Sequence, residues 1–217
     1  MRVVGVDGCR GGWLACTLTL GANGSPDPDF VLHTTFSSIL TCDADVIGVD
    51  IPIGIPGAGA RAADAAARRF VGPRASSVFS TPPRAALTAA TYEEALRRSR
   101  ELNGVGLTKQ AFGLRARILE VDGLADDERV VEMHPEVSFR QLVGRPLASK
   151  HTPEGVRERE EAVVVACNTN VRGRVRPGLL VDALDAVAAA WSAGRYARGE
   201  AFSLPRDAAN RVGAIWC

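Results

Sequence analysis

The chain has 217 residues, of which 46% are hydrophobic and 24% charged, the balance of an ordinary soluble globular protein; a single domain spanning 1–217 with one large insertion is expected. A formal net charge of +1 argues against strong general attraction to nucleic acid. No apolar run is long enough for a bilayer, no export leader is read at the N-terminus, and the five scattered cysteines lack CxxC spacing; no membrane contact and a cytoplasmic location are expected.

The first third is predicted to be β-rich. Val3–Asp7 is a strand, Gly8–Gly12 is turn chemistry, and Trp13–Leu20 alternates as a returning strand. A loop over Gly21–Pro28 precedes a third strand at Asp29–His33 and a short helix at Phe36–Leu40. Val46–Ile51 is a continuous apolar run, as in a strand buried on both faces and parallel to the first. Residues 52–128 are too long for a simple crossover and read as a helical insertion over one end of the sheet. Within it, helices are predicted near Ala60–Phe70, from Thr91 to about Leu102 and from Lys109 to about Glu120, with a polar loop at 72–84. After the insertion come a fifth strand, Val130–His134, and a short helix, Glu136–Val143. Thr152 and Pro153 start a helix to about Cys167; Val181–Gly194 is a further helix with Leu184, Val187, Ala188 and Trp191 on one stripe. Gly213–Trp216 reads as an edge strand.

One phrase occurs twice. Val4-Gly5-Val6-Asp7 and Ile47-Gly48-Val49-Asp50 are each a β-branched run ending in Asp, with Gly two residues earlier. Side chains alternate along a strand, so each Gly shares a face with its Asp. If the strands are parallel neighbours, the two carboxylates converge, which is what a divalent metal site needs. Asp182 and Asp185 lie one helical turn apart and could complete an oxygen-rich cage for Mg2+ or Mn2+. Bland readings stand beside these: Asp7 as a turn former before Gly8, Asp50 held by backbone donors, Asp182 favouring a helix dipole.

Glu132, His134 and Glu136 form the next cluster. One of the acids Glu132 and Glu136 is a candidate further metal ligand or general base and His134 a proton carrier; the bland reading is a satisfied strand-end histidine with a capping Glu. Only Lys109 and Lys150 are lysines; the other basic residues are arginines, whose fork suits phosphate. Arg10, Arg74, Ser76, Ser77, Arg84, Lys109, Gln110 and Lys150 are candidate substrate contacts. No G-x-S-x-G elbow marks a serine nucleophile.

Several long motifs resemble a prokaryotic family catalogued as domain of unknown function 429. They are Val4–Trp13, Asp50-Ile51-Pro52-Ile53-Gly54, Ser76–Arg84, Glu132-Met133-His134-Pro135-Glu136, Lys109-Gln110-Ala111-Phe112, Lys150 and Asp182-Ala183-Leu184-Asp185-Ala186. The resemblance implies an α/β fold of the ribonuclease H-like kind. Its mixed sheet has a three-strand antiparallel meander plus parallel strands, is flanked by helices, and here carries the helical insertion after strand four. The first and fourth strands are then neighbours, with Asp7 beside Asp50. Resolvases of that superfamily carry an acid at the end of strand four and two acids one turn apart on the last helix, which match Asp50, Asp182 and Asp185.

What the resemblance implies for activity is a nuclease or phosphodiesterase in which carboxylate-held Mg2+ or Mn2+ promotes hydrolysis of a phosphodiester. Asp7, Asp50, Asp185 and Glu136 are then the catalytic set. Asp7, Asp50, Asp182, Asp185 and Glu132 are the metal set, and the substrate is nucleic acid or a nucleotide. The insertion and near-neutral charge depart from the resolvase pattern and argue against a long duplex. Two other classes stay open: an ATP- or phosphate-binding phosphotransfer protein of the sugar-kinase and actin group, and a non-catalytic interaction protein with a vestigial site, whose carboxylates diverge or are salt-bridged to arginines.

Overall fold

The computed structural model describes residues 1–21, 28–168 and 170–217; most of the expected 21–28 loop lies outside the described residues. Strands β1 (Arg2–Cys9), β2 (Gly12–Thr19) and β3 (Asp29–His33) form the antiparallel meander. The β1–β2 turn is closed by Gly11 and Gly12 at φ +100° and +143°, the left-handed region that glycine enters without steric cost. β4 (Val46–Val49) runs parallel to β1, and β5 (Val130–Glu132) parallel to β4. The order β3-β2-β1-β4-β5, with these directions, is that of the expected ribonuclease H-like sheet. β5 stops at Glu132 rather than His134 because Pro135 opens the next helix and His134 caps it.

The α-helices are α1 (Ala62–Val71), α2 (Arg84–Leu87), α3 (Tyr92–Asn103), α4 (Lys109–Gly113), α5 (Arg115–Asp122), α6 (Pro135–Val143), α7 (Pro153–Cys167) and α8 (Leu180–Ala197). Two end signals read from sequence appear as side-chain caps. Thr91 Oγ1 accepts from Glu94 N–H at 3.2 Å at the start of α3, and Thr152 Oγ1 accepts from Gly155 N–H at 3.2 Å at the start of α7. The single helix expected from Lys109 to Glu120 is broken at Leu114 into α4 and α5.

The sheet has two covered faces. Val4, Val6, Ile47 and Val49 pack with Trp13, Phe36 and Ile39 and with Ile118 and Val121 of α5. The insertion thus covers a sheet face as well as an end. On the opposite face lie Val3, Val46 and Val131, with the alanine-rich side of α8. The glycines of the repeated phrase explain how closely α8 approaches. A Cβ on Gly5 would fall 2.0 Å from Ala186 O and 2.2 Å from Ala190 N; one on Gly48 would fall 3.0 Å from Ala189 O.

The tail strand is the two-residue β7 (Ile215–Trp216). It pairs antiparallel with β6 (Ser203–Leu204) in a separate two-stranded sheet rather than at an edge of the main one. Phe202 and Cys217 close that pair by exchanging backbone hydrogen bonds of 2.8 and 3.0 Å. Among the described residues no helix is long and apolar enough to cross a membrane.

Candidate active site

Parallel pairing of Gly5 with Gly48 and Val6 with Val49 carries the repeated phrase into register, and Asp50 N–H donates to Val6 O at 3.0 Å. Asp7 and Asp50 follow at the carboxyl ends of adjacent strands, on the face that the glycines open to α8. The first turns of α8 bring Asp182 and Asp185 to the same place. All four line one cavity of about 420 Å³. Asp7 is 8% exposed and Asp185 only 1%.

This grouping is electrostatically costly. Burial, then the charges of Asp185 and Asp50, push the Asp7 carboxyl well above the usual aspartate range. Burial also raises Asp50, with His134 and Lys150 pulling it back; burial and Asp185 raise Asp182. The compensating cation is Lys150, whose Nζ donates to Asp185 Oδ2 at 2.6 Å. Burial alone would lower the Lys150 pKa, but Asp185, Asp50 and Asp7 overcome it and the ammonium is held charged.

Lys150 is bonded to one of the four carboxylates, and Asp7 and Asp50 have no ion-pair partner among the described residues. The donors are all hard oxygens, the chemistry that suits Mg2+ or Mn2+. Among the described residues no group of three or more His, Cys, Asp or Glu side chains is already arranged around a single ion point. Asp185 faces Lys150 instead. The donor set fits such an ion in kind, and Lys150 is its competitor for Asp185.

The rest of the cavity is basic and hydroxylic. His134 lines it, with a buried Nδ1 that has no hydrogen-bond partner. Arg74 lines it too; its Nε is likewise buried and unpartnered, and its Nη2 is 3.8 Å from Glu136 Oε1. Ser76, Ser77, Gln110, Ser149, Lys150 and His151 complete the polar wall. Glu136 reaches the cavity from the first turn of α6, but its Oε1 already accepts from Arg159 Nη2 at 2.5 Å.

Four sequence candidates are not brought to this cavity. Glu132 stands beside Val49 in the β4–β5 register, so it points to the sheet face opposite Asp50. There its carboxylate is engaged by the Arg61 guanidinium and by Ile53 N–H at 2.7 Å, beside Asp64. Arg84 pairs with Asp122 at 2.5 Å; Lys109 sits 6.0 Å from the Tyr92 ring centroid; Arg10 is exposed in the β1–β2 turn. Residues missed by sequence reading include Ser149, Arg61 and Arg159. Arg159 is 0% exposed on the α7 stripe Gly155, Arg159, Val163, and an arginine at core spacing was its available signal.

A Thermus thermophilus RuvC structure resembles the chain with a TM-score of 0.43 and 12% identity, over 92% of this chain and 98% of that one. So distant a likeness adds nothing to the functional reading. No curated protein sequence matches the chain. The family model described as "Protein of unknown function (DUF429)" matches residues 5–210, nearly the whole length over which the carboxylate site is built, and the chain belongs to that family.

Proposed function

We infer that this protein is a divalent-metal-dependent phosphodiester hydrolase, a nuclease or nucleotide phosphodiesterase. One observation carries the reading: Asp7 and Asp50 from neighbouring parallel strands meet Asp182 and Asp185 from α8 in one cavity that Arg74, Lys150 and serine hydroxyls also line. Asp7, Asp50 and Asp185 are the residues that would hold Mg2+ or Mn2+, with Asp182 beside them. A divalent ion there supplies Lewis acidity for water and charge neutralisation for phosphate.

The chain's own residues do the remainder. Asp7 and Asp50 are held side by side at the strand ends because their strands are locked in register. Arg74 and Lys150 line the cavity and would meet the non-bridging oxygens of a phosphate, with the Ser76 hydroxyl as a further donor; the Ser77 hydroxyl already donates to Arg74 O at 2.7 Å and so holds the Arg74 segment in place. His134 Nδ1 is the unpartnered group placed to exchange a proton with the attacking water or the departing oxygen. Arg159 fixes Glu136, which makes Glu136 a support for Arg74 rather than a free base. The cavity volume of about 420 Å³ suits a single phosphodiester unit with its flanking sugars rather than a duplex.

A non-catalytic reading has one observation in its favour. Asp185, Glu132 and Glu136 all have basic partners, as a vestigial site requires. Asp7 and Asp50 have no ion-pair partner among the described residues, which favours the hydrolase.

The test is a panel of labelled single- and double-stranded DNA and RNA with cyclic and linear nucleotides, in Mg2+ or Mn2+. Hydrolysis that disappears in Asp7→Asn and Asp50→Asn supports the reading. Full activity in Asp7→Asn overturns it. Absence of hydrolysis, with no Mn2+ binding by calorimetry, leaves the non-catalytic reading.

A further inference from the structure

A second cavity, of about 220 Å³, adjoins the acidic one. The two share Ser76, Phe79 and Gln110 as a common wall. Their characters differ sharply. The first is lined by four aspartates and several cations; among the described residues lining the second, Arg68 is the one charged side chain. Arg68 is committed to structure: its Nε donates to Val78 O at 2.8 Å and its Nη2 to Ser80 Oγ at 2.9 Å.

The wall between the cavities is anchored from below. Asp64, 4% exposed, accepts from Thr81 N–H at 2.6 Å and from Thr81 Oγ1 at 3.1 Å. Arg61 ties Asp64 in turn to Glu132. The segment from Val78 to Thr81 is therefore held in place at both ends of its run, and the pocket behind it is preformed.

The lining states what the pocket takes. Phe79, Val105 and Leu107 give it apolar surface. Asn103 adds a buried Oδ1 with no hydrogen-bond partner, an acceptor waiting for an N–H. Ser99 Oγ already donates to Val105 O at 3.0 Å, and the other amide, Gln110, stands on the wall shared with the acidic cavity, so Asn103 is the amide that belongs to this pocket alone. An uncharged, flat group with N–H donors on its edge meets these demands; a phosphate or a carboxylate does not. The volume lies below the ~300–1,000 Å³ of sites for drug-sized ligands, which fits one heterocycle rather than a whole nucleotide.

We propose that this side pocket binds an unpaired nucleobase, read by the Asn103 amide and packed on Phe79, while the attached phosphate enters the acidic cavity across the Ser76–Phe79–Gln110 wall. The proposal rests on the phosphodiesterase reading and narrows its substrate class to a small nucleotide phosphodiester, cyclic or dinucleotide, or a single strand with an unstacked base. A base buried in a duplex cannot reach the pocket without flipping out. Asn and aromatic side chains are the groups that read and stack unpaired bases.

The experiment compares probes that differ only in the base. Binding of the four nucleoside 5′-monophosphates and of ribose 5-phosphate to the full chain is measured by calorimetry. Binding of a single-stranded tetranucleotide and its abasic counterpart is measured the same way, and each is repeated with Asn103→Leu. The base-bearing probe is expected to bind at least about tenfold more tightly than its abasic partner, the scale of one stacking contact. Asn103→Leu is expected to cut that ratio severalfold while ribose 5-phosphate binding stays as it was. Discrimination in the monophosphates alone identifies a nucleotide; discrimination in the tetranucleotides identifies a strand.

Equal binding of base-bearing and abasic probes to the wild-type chain overturns the proposal, and this arm needs no variant to fold. So does discrimination that survives Asn103→Leu unchanged, with a thermal melt showing the variant folded. Failure of the parent reading looks different: no hydrolysis of any phosphodiester, with base discrimination intact. Hydrolysis that is indifferent to the base sinks this proposal alone.

Discussion

Lys150 Nζ lies 2.6 Å from Asp185 Oδ2, and the pair is lopsided: the lysine side chain is 33% exposed and the aspartate 1%. The carboxylate is thus committed to the interior while the ammonium reaches in from a loop. Lys150→Met removes the ammonium that is hydrogen-bonded into the four-carboxylate cluster. Breaking a buried pair costs about 3–5 kcal/mol, and the partly solvated ammonium brings the expected loss to about 2–3 kcal/mol without metal. Because the ammonium no longer competes for Asp185, Mn2+ should stabilise Lys150→Met more than wild type, while hydrolysis falls at least tenfold. Chemical denaturation with and without Mn2+, alongside an activity assay, checks all three.

The Asp7 carboxyl predicts a pH dependence of defined sign. Its pKa in the folded protein is raised, first by burial and then by Asp185 and Asp50. The folded state therefore holds this proton more tightly than the unfolded chain does. Its contribution to stability is full below the ordinary aspartate pKa and is lost as pH rises through the folded value. Asp7→Asn mimics the protonated form. Without metal it should melt above wild type near neutral pH, and the advantage should vanish on acidification. Melts from about pH 8 to about pH 4 test this; an advantage that grows toward acid would contradict the assigned shift. Adding Mg2+ should raise the wild-type midpoint and leave Asp7→Asn nearly unmoved.

Gly5 and Gly48 should differ in their tolerance of a methyl group. At Gly5 the new Cβ meets the α8 backbone at 2.0 Å; at Gly48 the nearest atom is Met133 Cγ at 2.8 Å, the middle of a flexible side chain. Gly5→Ala should cost about 3 kcal/mol or more by overpacking, and Gly48→Ala about 1–2 kcal/mol. For a chain of this size the first is a drop of roughly 6–12 °C in melting temperature. Any Gly5→Ala protein that folds should also lose metal affinity, because α8 carries Asp182 and Asp185.

Glu132 should behave as a structural acid. Glu132→Gln leaves the buried Arg61 guanidinium without its main charge partner and should cost about 3 kcal/mol. Mn2+ affinity measured on the folded variant should stay within a factor of two of wild type. A loss as large as that of Asp50→Asn would return Glu132 to the metal set.

Much of the architecture was legible from local signals. The β-branched run of β1, the alternation read in β2, the Thr91 and Thr152 caps and the Leu184, Val187, Ala188 and Trp191 stripe of α8 depend on neighbours within a few residues, and such signals survive in any context. The two-residue strands β6 and β7 were not legible, since so short a pairing carries no periodicity, and the break at Leu114 follows the helix-weakening Gly113, which the reading of one continuous helix passed over.

By itself the sequence determined that Gly5 shares a face with Asp7, Gly48 with Asp50, and Asp182 with Asp185, because backbone periodicity dictates those relations wherever the segments lie. Only the tertiary structure decided that β1 and β4 are neighbours in register, and that α8 lies on the glycine face. It alone turned Glu132 away from Asp50 and gave Asp185 to Lys150. Those outcomes depend on which non-local surfaces pair and on where buried charge finds a partner, and neither is written in the period of any single segment.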